Sequence, residues 1–406
     1  MRGFFEKQNK SNRPDARRSY SCVSCGLYKD VLSPKMKPYG NFKKRILNIG
    51  EAPGETEDKK GRQWQGKMGR LLQRTYRELG VDIFEDCLNI NSVNCRPIGN
   101  KTPSDFQVAC CRNVIVSKVL EEYKPDVIVL FGKSALVSFL GHRWQKDLGG
   151  VMKWRGWNIP DRDHKAWVCP VFHPSFVERT EEDVAYNLWK KDLKRALSLA
   201  GTKPPRFYAP NIHIIEDLSP LDDIHTDLVG LDWETTGLKP HAQGHRIVSG
   251  AVAYDENNAY AFRIPNSKKD KMPLIRLLEN PAIGKVCSNM KHEIHWARKR
   301  LHGTEIKGME FDTMLASHTL DNRPGVNSLK FEVYKRFGVV DYDSEIHPYL
   351  IAKDRKNGNA FNQIYELLKQ PGGEEKLLTY NGWDSICSLR AGKEQMEEIG
   401  YDFLPF

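Results

Sequence analysis

Over the first 200 residues, short apolar runs alternate with helical stripes. β-rich runs fall at 45–49 (RILNI), 87–93 (CLNINSV), 126–131 (DVIVLF) and 166–172 (AWVCPVF). Apolar positions at helical spacing fill 67–80 and 106–123 between the first three runs, and 133–141 after the third. Strands alternating with helices predict an α/β fold, with a mainly parallel sheet covered on both faces. A further helical stripe covers 181–200 and stops at Gly201. Residues 202–226 carry prolines and no helical period, and read as a linker. The pattern then changes. A strand at 228–234 (LVGLDWE) leads to a hairpin over 247–264 that turns at Asp255–Asn258. A short strand at 284–288 and helical segments follow to the end. This second half predicts a mixed sheet with an antiparallel component.

A chain of 406 residues exceeds what one hydrophobic core usually fills, so two domains are expected. The boundaries read as a flexible basic arm at 1–20, domains at 21–201 and 227–406, and the linker at 202–226. No apolar run is long enough for a membrane helix, and the basic N-terminus lacks the apolar stretch of a secretory signal. A cytoplasmic protein is expected, in the host cytoplasm if the chain is viral. Nine cysteines without a signal point to metal or cluster ligation rather than to disulfides. The charge is uneven. Residues 1–200 hold 36 basic and 23 acidic side chains, whereas the remainder hold 26 and 29. A basic half suits a polyanion such as DNA; a near-neutral half can reach the same polyanion through cations on carboxylates.

Three of the first-half strands run into unusual polar loops, GEAPGETED (50–58), NCRPIGNKTP (94–103) and HPSFVER (173–179). In a parallel sheet these would meet at the carboxyl edge, where ligands bind. The first loop crowds Glu51, Glu55, Glu57 and Asp58 beside a tight Gly-Pro-Gly turn. Trp64 follows between glycine-flanked turns and offers a face for a base. Asn91 ends a strand with an amide that both donates and accepts, which suits a pyrimidine edge. His173 ends another strand, where a neutral imidazole can stabilise a developing oxyanion.

GEAPGETED, GRQWQG, NSVNCRPIGNKTP and FHPS, in this order, resemble family 4 uracil-DNA glycosylases over roughly residues 20–200. The resemblance implies one central parallel sheet, a uracil flipped out of DNA and hydrolysis of its N-glycosidic bond. Matched motif by motif, Trp64 takes a stacking position usually held by Phe. Asn91 reads the uracil edge, His173 stabilises the departing uracil anion, and Glu51, Glu57 and Asn100 surround the sugar and attacking water. Ile98 replaces the second proline of the family's CRPP. Spacing alone leaves the cysteines open: Cys22-x-x-Cys25 plus two distant cysteines suits zinc or an iron–sulfur cluster. The resemblance implies a [4Fe–4S] cluster on Cys22, Cys25, Cys95 and Cys111, with Cys110 as the spare. Cys87, Cys169, Cys287 and Cys387 lie in apolar patterns and read as buried.

In the second half, Asp232 and Glu234 stand at i and i+2 on a strand and share one face. Tyr380 and Asp384 stand four apart on one helix face. Glu293 opens a helix between them. Carboxylates from separate elements can hold two Mg²⁺ or Mn²⁺ ions for in-line displacement at phosphorus. No basic partner is evident in these motifs. DWETTGL, NMKHE, FDTMLASHTLD, VNSLK and YNGWD resemble the 3′–5′ proofreading exonuclease domain of A-family DNA polymerases over about 213–406. The resemblance implies a ribonuclease H-like fold, Asp232, Glu234, Glu293 and Asp384 as metal ligands, and Tyr380 orienting the attacking water. Glu293 stands where the family has Asp, and Asp312 matches a structural Asp. His292 and His295 line the groove or pack. Some bacteriophage polymerases carry a similar glycosylase-like domain ahead of exonuclease and polymerase. The expectation is therefore uracil excision plus 3′–5′ exonuclease action on DNA without a membrane partner. Two alternatives stay open. The first domain could only bind a base and tether the nuclease, or the chain could serve a separately encoded DNA polymerase.

Overall fold

The computed structural model describes residues 20–401 apart from 145, 181, 182 and 355. The basic arm expected over 1–20 lies outside them except for Tyr20. The described chain forms two compact units. One takes residues up to 206 together with 334–340, and the other takes 207–333 and 341–401.

The first unit is built on a five-stranded sheet. Its strands are β1 (Ile46–Gly50), β2 (Cys87–Asn91), β3 (Val127–Phe131), β4 (Ile159–Asp161) and β5 (Ala166–Val171), in the order β2-β1-β3-β5-β4. All pairings are parallel except β4 with β5. The central strands are buried end to end, which is why they read as continuous apolar runs. Two buried asparagines interrupt that rule and satisfy each other. Asn48 Nδ2 donates to Asn89 Oδ1 (3.0 Å), Tyr76 OH donates to Asn48 Oδ1 (2.8 Å), and Asn89 Nδ2 donates to the Ile83 carbonyl (2.8 Å). Because β1, β2 and β5 run the same way, the loops after Gly50, Asn91 and Val171 leave from one edge. The helical stripe at 106–123 is one continuous segment with a π-helical stretch, Arg112–Val116, in its middle.

The second unit is built on a six-stranded mixed sheet. It contains β6 (Asn211–Ile214), β7 (Leu228–Thr235), β8 (Ile247–Ala253), β9 (Asn258–Arg263), β10 (Gly284–Cys287) and β11 (Met309–Asp312), in the order β11-β10-β7-β8-β9-β6. The hairpin closes where Asp255 Oδ1 accepts from the amides of Asn257 and Asn258. The structure departs from the linker reading of 202–226. Residues 211–214 pair with β9 as an edge strand, and Leu218, Leu221 and Ile224 are buried in this unit's core. Four residues of NIHI are too few to show a period, and the prolines before them mask the strand.

The long helix Gly373–Ile399 packs directly on β7, β8 and β9. Gly230 of β7 makes this possible, since a Cβ there would lie 2.2 Å from the Ser385 carbonyl oxygen. That close approach brings the middle of the helix over the end of β7.

Candidate functional site

In the first unit, the carboxyl edge of the sheet gathers Trp64, Asn91, His173 and Glu51. Trp64 is buried against Phe131 (ring centroids 5.3 Å) and lies 6.0 Å from the His173 ring. A Cβ on Gly50 would meet Asn91 Oδ1 at 2.5 Å and Trp64 Cζ2 at 3.0 Å. Gly50 therefore lets the amide and the indole approach one another across the strand end. His173 Nδ1 accepts the Ser175 amide (3.2 Å), so its neutral form carries the proton on Nε2. Burial, with Arg179 adding to it, pushes the His173 pKa down to about 4. The imidazole is thus a neutral Nε2–H donor at physiological pH. Glu51 receives a hydrogen bond from Ser134 Oγ (3.2 Å).

Two expected members of this site stand elsewhere. Glu57 Oε1 accepts the amides of Gln65 (2.9 Å) and Gly66 (2.6 Å). Trp64 has φ +59, a conformation costly for a residue with a Cβ unless its surroundings enforce it. Glu57 enforces it by clamping the next two amides, so it holds the turn that aims Trp64. Asn100 is exposed in a short 3₁₀ turn, and its Oδ1 accepts from Arg96 Nε (2.7 Å). A carboxylate reaching forward to amides eight and nine residues on, and an amide turned toward a neighbouring arginine, leave no periodic trace in sequence.

The cysteines form a separate pocket in the same unit. Cys22, Cys25, Cys95, Cys110 and Cys111 line it together with Tyr28, Val93 and Ile115. Cys95 Sγ accepts the Lys35 amide and Cys111 Sγ accepts the Asn94 amide, both at 3.2 Å. Burial pushes the Cys111 thiol up to about 12, with Cys95 and Cys22 nearby adding to it. Buried sulfurs that already receive backbone N–H bonds, among apolar neighbours, form a soft donor set that fits an iron–sulfur cluster or zinc. Cys110 and Cys111 both reach the pocket. Cys87, Cys169, Cys287 and Cys387 are buried in strands and helices away from it.

In the second unit, ligand oxygens of Asp232, Glu234 and Asp384 lie within 4.8 Å of one another. β7 supplies the first two and the long helix the third. Burial first, then the neighbouring acids, raises Asp232 well above its ordinary range and takes Glu234 up to about 8. Glu293, on the first turn of the helix Met290–Arg300, is buried beside Glu234, and its Oε2 has no hydrogen-bond partner. Asn381 Nδ2 donates to Asp232 Oδ2 (2.6 Å) and takes a bond from Ser249 Oγ on its own oxygen (2.9 Å). Asp312 caps the helix Thr313–Leu320 and accepts the amides of Asn289 and Met290. His292 packs on Trp296 (5.9 Å), and His295 is exposed.

Contrary to the expectation from sequence, these carboxylates do have a basic partner. Lys330 Nζ donates to Asp384 Oδ1, and Tyr342 OH donates to the same oxygen (2.7 Å). The ammonium sits 4.0 Å from the Tyr342 ring centroid and 4.4 Å from that of Tyr380. Lys330 closes the motif VNSLK, but 54 residues separate it from Asp384, and only the fold brings them together.

The chain thus has one half with an indole, an amide and an imidazole at a sheet edge, and one half with a carboxylate cluster at a strand end. Residues 37–198 match the uracil DNA glycosylase superfamily, and residues 212–347 match the 3′-5′ exonuclease family. The Type-4 uracil-DNA glycosylase of Thermotoga maritima is 33% identical over 184 residues, 45% of this chain and 90% of that protein. The chain belongs to the Type-4 uracil-DNA glycosylase family through this half, which is joined to a half that matches the 3′-5′ exonuclease family model. A DNA polymerase of Bacillus phage SP01 is 24% identical over 330 residues, 72% of this chain and 34% of that polymerase. Among solved structures, Brucella melitensis NrnC aligns with 48% of this chain and 85% of its own, at 20% identity and a TM-score of 0.35. The two families make this a DNA-processing protein. Among the described residues no helix is long and apolar enough to cross a membrane.

Proposed function

We propose that the chain is bifunctional: it excises uracil from DNA and degrades DNA from the 3′ end. The nuclease reading rests on one observation, the meeting of Asp232, Glu234 and Asp384 oxygens within 4.8 Å. With Glu293, these residues would hold two Mg²⁺ or Mn²⁺ ions. Such ions supply a hydroxide at neutral pH and neutralise charge on the phosphate. The protein's own part is positional. Asn381 fixes Asp232, Tyr342 fixes Asp384 while Lys330 holds a positive charge against it in the metal-free chain, and Tyr380 lies one helical turn from Asp384 to orient the attacking water.

The glycosylase reading rests on the convergence of Trp64, Asn91 and His173. The indole stacks on a flipped base, the Asn91 amide reads its edge, and the His173 Nε2–H stabilises negative charge as the glycosidic bond breaks. Glu51 faces the sugar and the water. Cys22, Cys25, Cys95 and Cys111 would hold a [4Fe–4S] cluster, which ties the segment 22–25 to the loop after β2 and to the helix that follows.

The test uses the purified chain and end-labelled, uracil-containing single-stranded DNA. Abasic sites should form in EDTA, and shortening from the 3′ end should require Mg²⁺. Asp232→Ala should abolish shortening and leave uracil release intact. Uracil-specific binding without release would favour the reading in which the first half only recognises a base. The exposed Asn100 gives that second reading its one foothold. Co-purification with a polymerase would place the nuclease in a proofreading complex.

A further inference from the structure

A second concavity lies in the nuclease-like unit. It has a volume of about 460 Å³ and is walled by the start of β8, the end of β9 and the side chains of Arg246, Arg263, Lys271, Arg300 and Tyr365. The lining contains four permanent cations and no carboxylate. Lys271 is only 8% exposed, yet its Nζ reaches only the Asn266 carbonyl at 3.3 Å. Arg300 Nη2 donates to the Ala242 carbonyl, while its buried Nε has no partner. Arg246 is exposed and makes no ion pair among the described residues. Arg263 Nε holds the Val248 carbonyl, and its guanidinium reaches the exposed Glu374 at 3.4 Å. A buried cation needs a compensating charge. A Lys at this depth with one long neutral contact, beside an arginine N–H with none, leaves that charge to come from outside the chain.

The register links one wall of the concavity, Arg263, to the carboxylates. Glu234 pairs with Ser249, and Ser249 pairs with Arg263. Residues paired across strands share a face, so Glu234, Ser249 and Arg263 form one row. Two strand spacings put Arg263 roughly 10 Å along that row from the metal-ligand position. Ser249 also holds Asn381, which holds Asp232, so the row is hydrogen-bonded to the cluster.

We infer that this concavity is a phosphate subsite for the DNA strand being degraded, with Tyr365 offering a ring face to a base. The inference rests on the exonuclease reading for the identity of the strand. Arg263 reaches along that row toward the acidic cluster, and Arg246, Lys271 and Arg300 line the concavity beyond it; a phosphodiester chain needs metal at the bond to be cut and permanent cations at a phosphate next to it. A free nucleotide carries the same phosphate chemistry and is the competing source.

The test compares wild-type chain, Arg246→Gln and the pair Arg246→Gln with Arg300→Gln, using a fluorescent thymidine oligonucleotide without uracil. Binding is followed by anisotropy in EDTA, so nothing is cut, over a range of salt. The pair should bind roughly tenfold more weakly, and its plot of log affinity against log salt should flatten by about 0.7 for each phosphate no longer neutralised. Arg246 is exposed, so the single variant folds regardless and should show part of the loss. Thymidine monophosphate should compete poorly with the oligonucleotide. In Mg²⁺ the variants should raise KM for digestion more than they lower kcat. Unchanged affinity and salt slope in both variants would overturn the subsite. Monophosphate competing as well as the oligonucleotide would overturn the strand assignment in favour of a free nucleotide. Failure of the wild-type chain to digest DNA in Mg²⁺ would overturn the exonuclease reading on which the strand rests, while the EDTA binding contrast would still decide whether the pocket holds phosphate.

Discussion

Replacing Glu234 by Gln asks whether the carboxylate cluster is a cation site held together against its own charge. In the metal-free chain burial, with Asp384 adding to it and Lys330 opposing, takes the Glu234 carboxyl up to about 8 from 4.5. The direction of the pH effect follows. Below about pH 4 the group is protonated in both folded and unfolded chain and contributes nothing. Above that, the unfolded chain releases the proton while the native state keeps it, so stability falls as pH rises until the native group ionises near 8. Each pKa unit is worth ~1.4 kcal/mol, so the loss is ~3 kcal/mol by pH 7 and ~5 kcal/mol by pH 8. Geometry gives the same scale. Two unit charges at 4.8 Å repel by ~3.5 kcal/mol at an effective dielectric of about 20. Gln keeps the shape and removes the ionisable group. In EDTA near pH 8 the Glu234→Gln chain should therefore unfold later than wild type. The shift should be on the order of 10 °C for a unit of about 200 residues. Adding Mg²⁺ should raise the wild-type transition and leave the variant nearly unmoved, reversing the order. Thermal unfolding followed by tryptophan fluorescence from about pH 5 to about pH 8.5, with EDTA or Mg²⁺, reads both effects. A variant that melts below wild type in EDTA at every pH, or a wild type whose stability does not fall over this range, would show that the cluster carries no such electrostatic load.

His173→Ala should lower uracil release by roughly 10²-fold or more. Because burial holds the wild-type imidazole neutral down to about pH 4, release should show no step near pH 6.5; a step there in single-turnover assays would mean the residue works as a cation. Cys111→Ser should cost the iron content and the thermal stability of the first unit, and Cys110→Ser should cost neither by metal analysis and melting; the opposite order would reassign the fourth ligand. Lys330→Met removes the cation already seated on Asp384, so Mn²⁺ measured by calorimetry should bind tighter by roughly tenfold, ~1.4 kcal/mol. Weaker Mn²⁺ binding would show that Lys330 builds the site rather than competing for it.

Much of the fold shows in the sequence because the chain uses parallel strands buried on both faces, and such strands read as unbroken apolar runs. The carboxyl-edge loops are legible for the same reason, since β1, β2 and β5 point one way and their polar exits stand out. Asp232 and Glu234 are legible from the two-residue repeat of a strand, and Tyr380 with Asp384 from the four-residue repeat of a helix. What stays hidden depends on tertiary distance. Lys330 on Asp384, Tyr342 on the same oxygen and Asn381 on Asp232 each join separate elements, and no local period encodes such pairings. β6 is hidden because four residues cannot establish alternation. Glu57 is legible as a carboxylate in the right loop, but its partners are backbone amides, which carry no sequence identity at all.

The two halves handle negative charge in opposite ways, and this follows from the residues each has at hand. At the sheet edge of the first unit, the groups proposed to face a flipped base are neutral near pH 7: an indole, an amide and an imidazole whose burial lowers its pKa to about 4. A neutral N–H donor stabilises charge that appears only as the bond breaks, and it does not bind the uncharged base too tightly beforehand. At the end of β7 the charge is present from the start, on carboxylates crowded so closely that the chain alone cannot keep them all ionised. On the proposed reading divalent cations complete that site, and Lys330 supplies one positive charge beside Asp384. The uneven distribution of basic residues then has a physical reason. On the proposed reading, the first half would attract DNA with its own side chains, whereas the second would draw the strand in through bound cations and the cationic concavity.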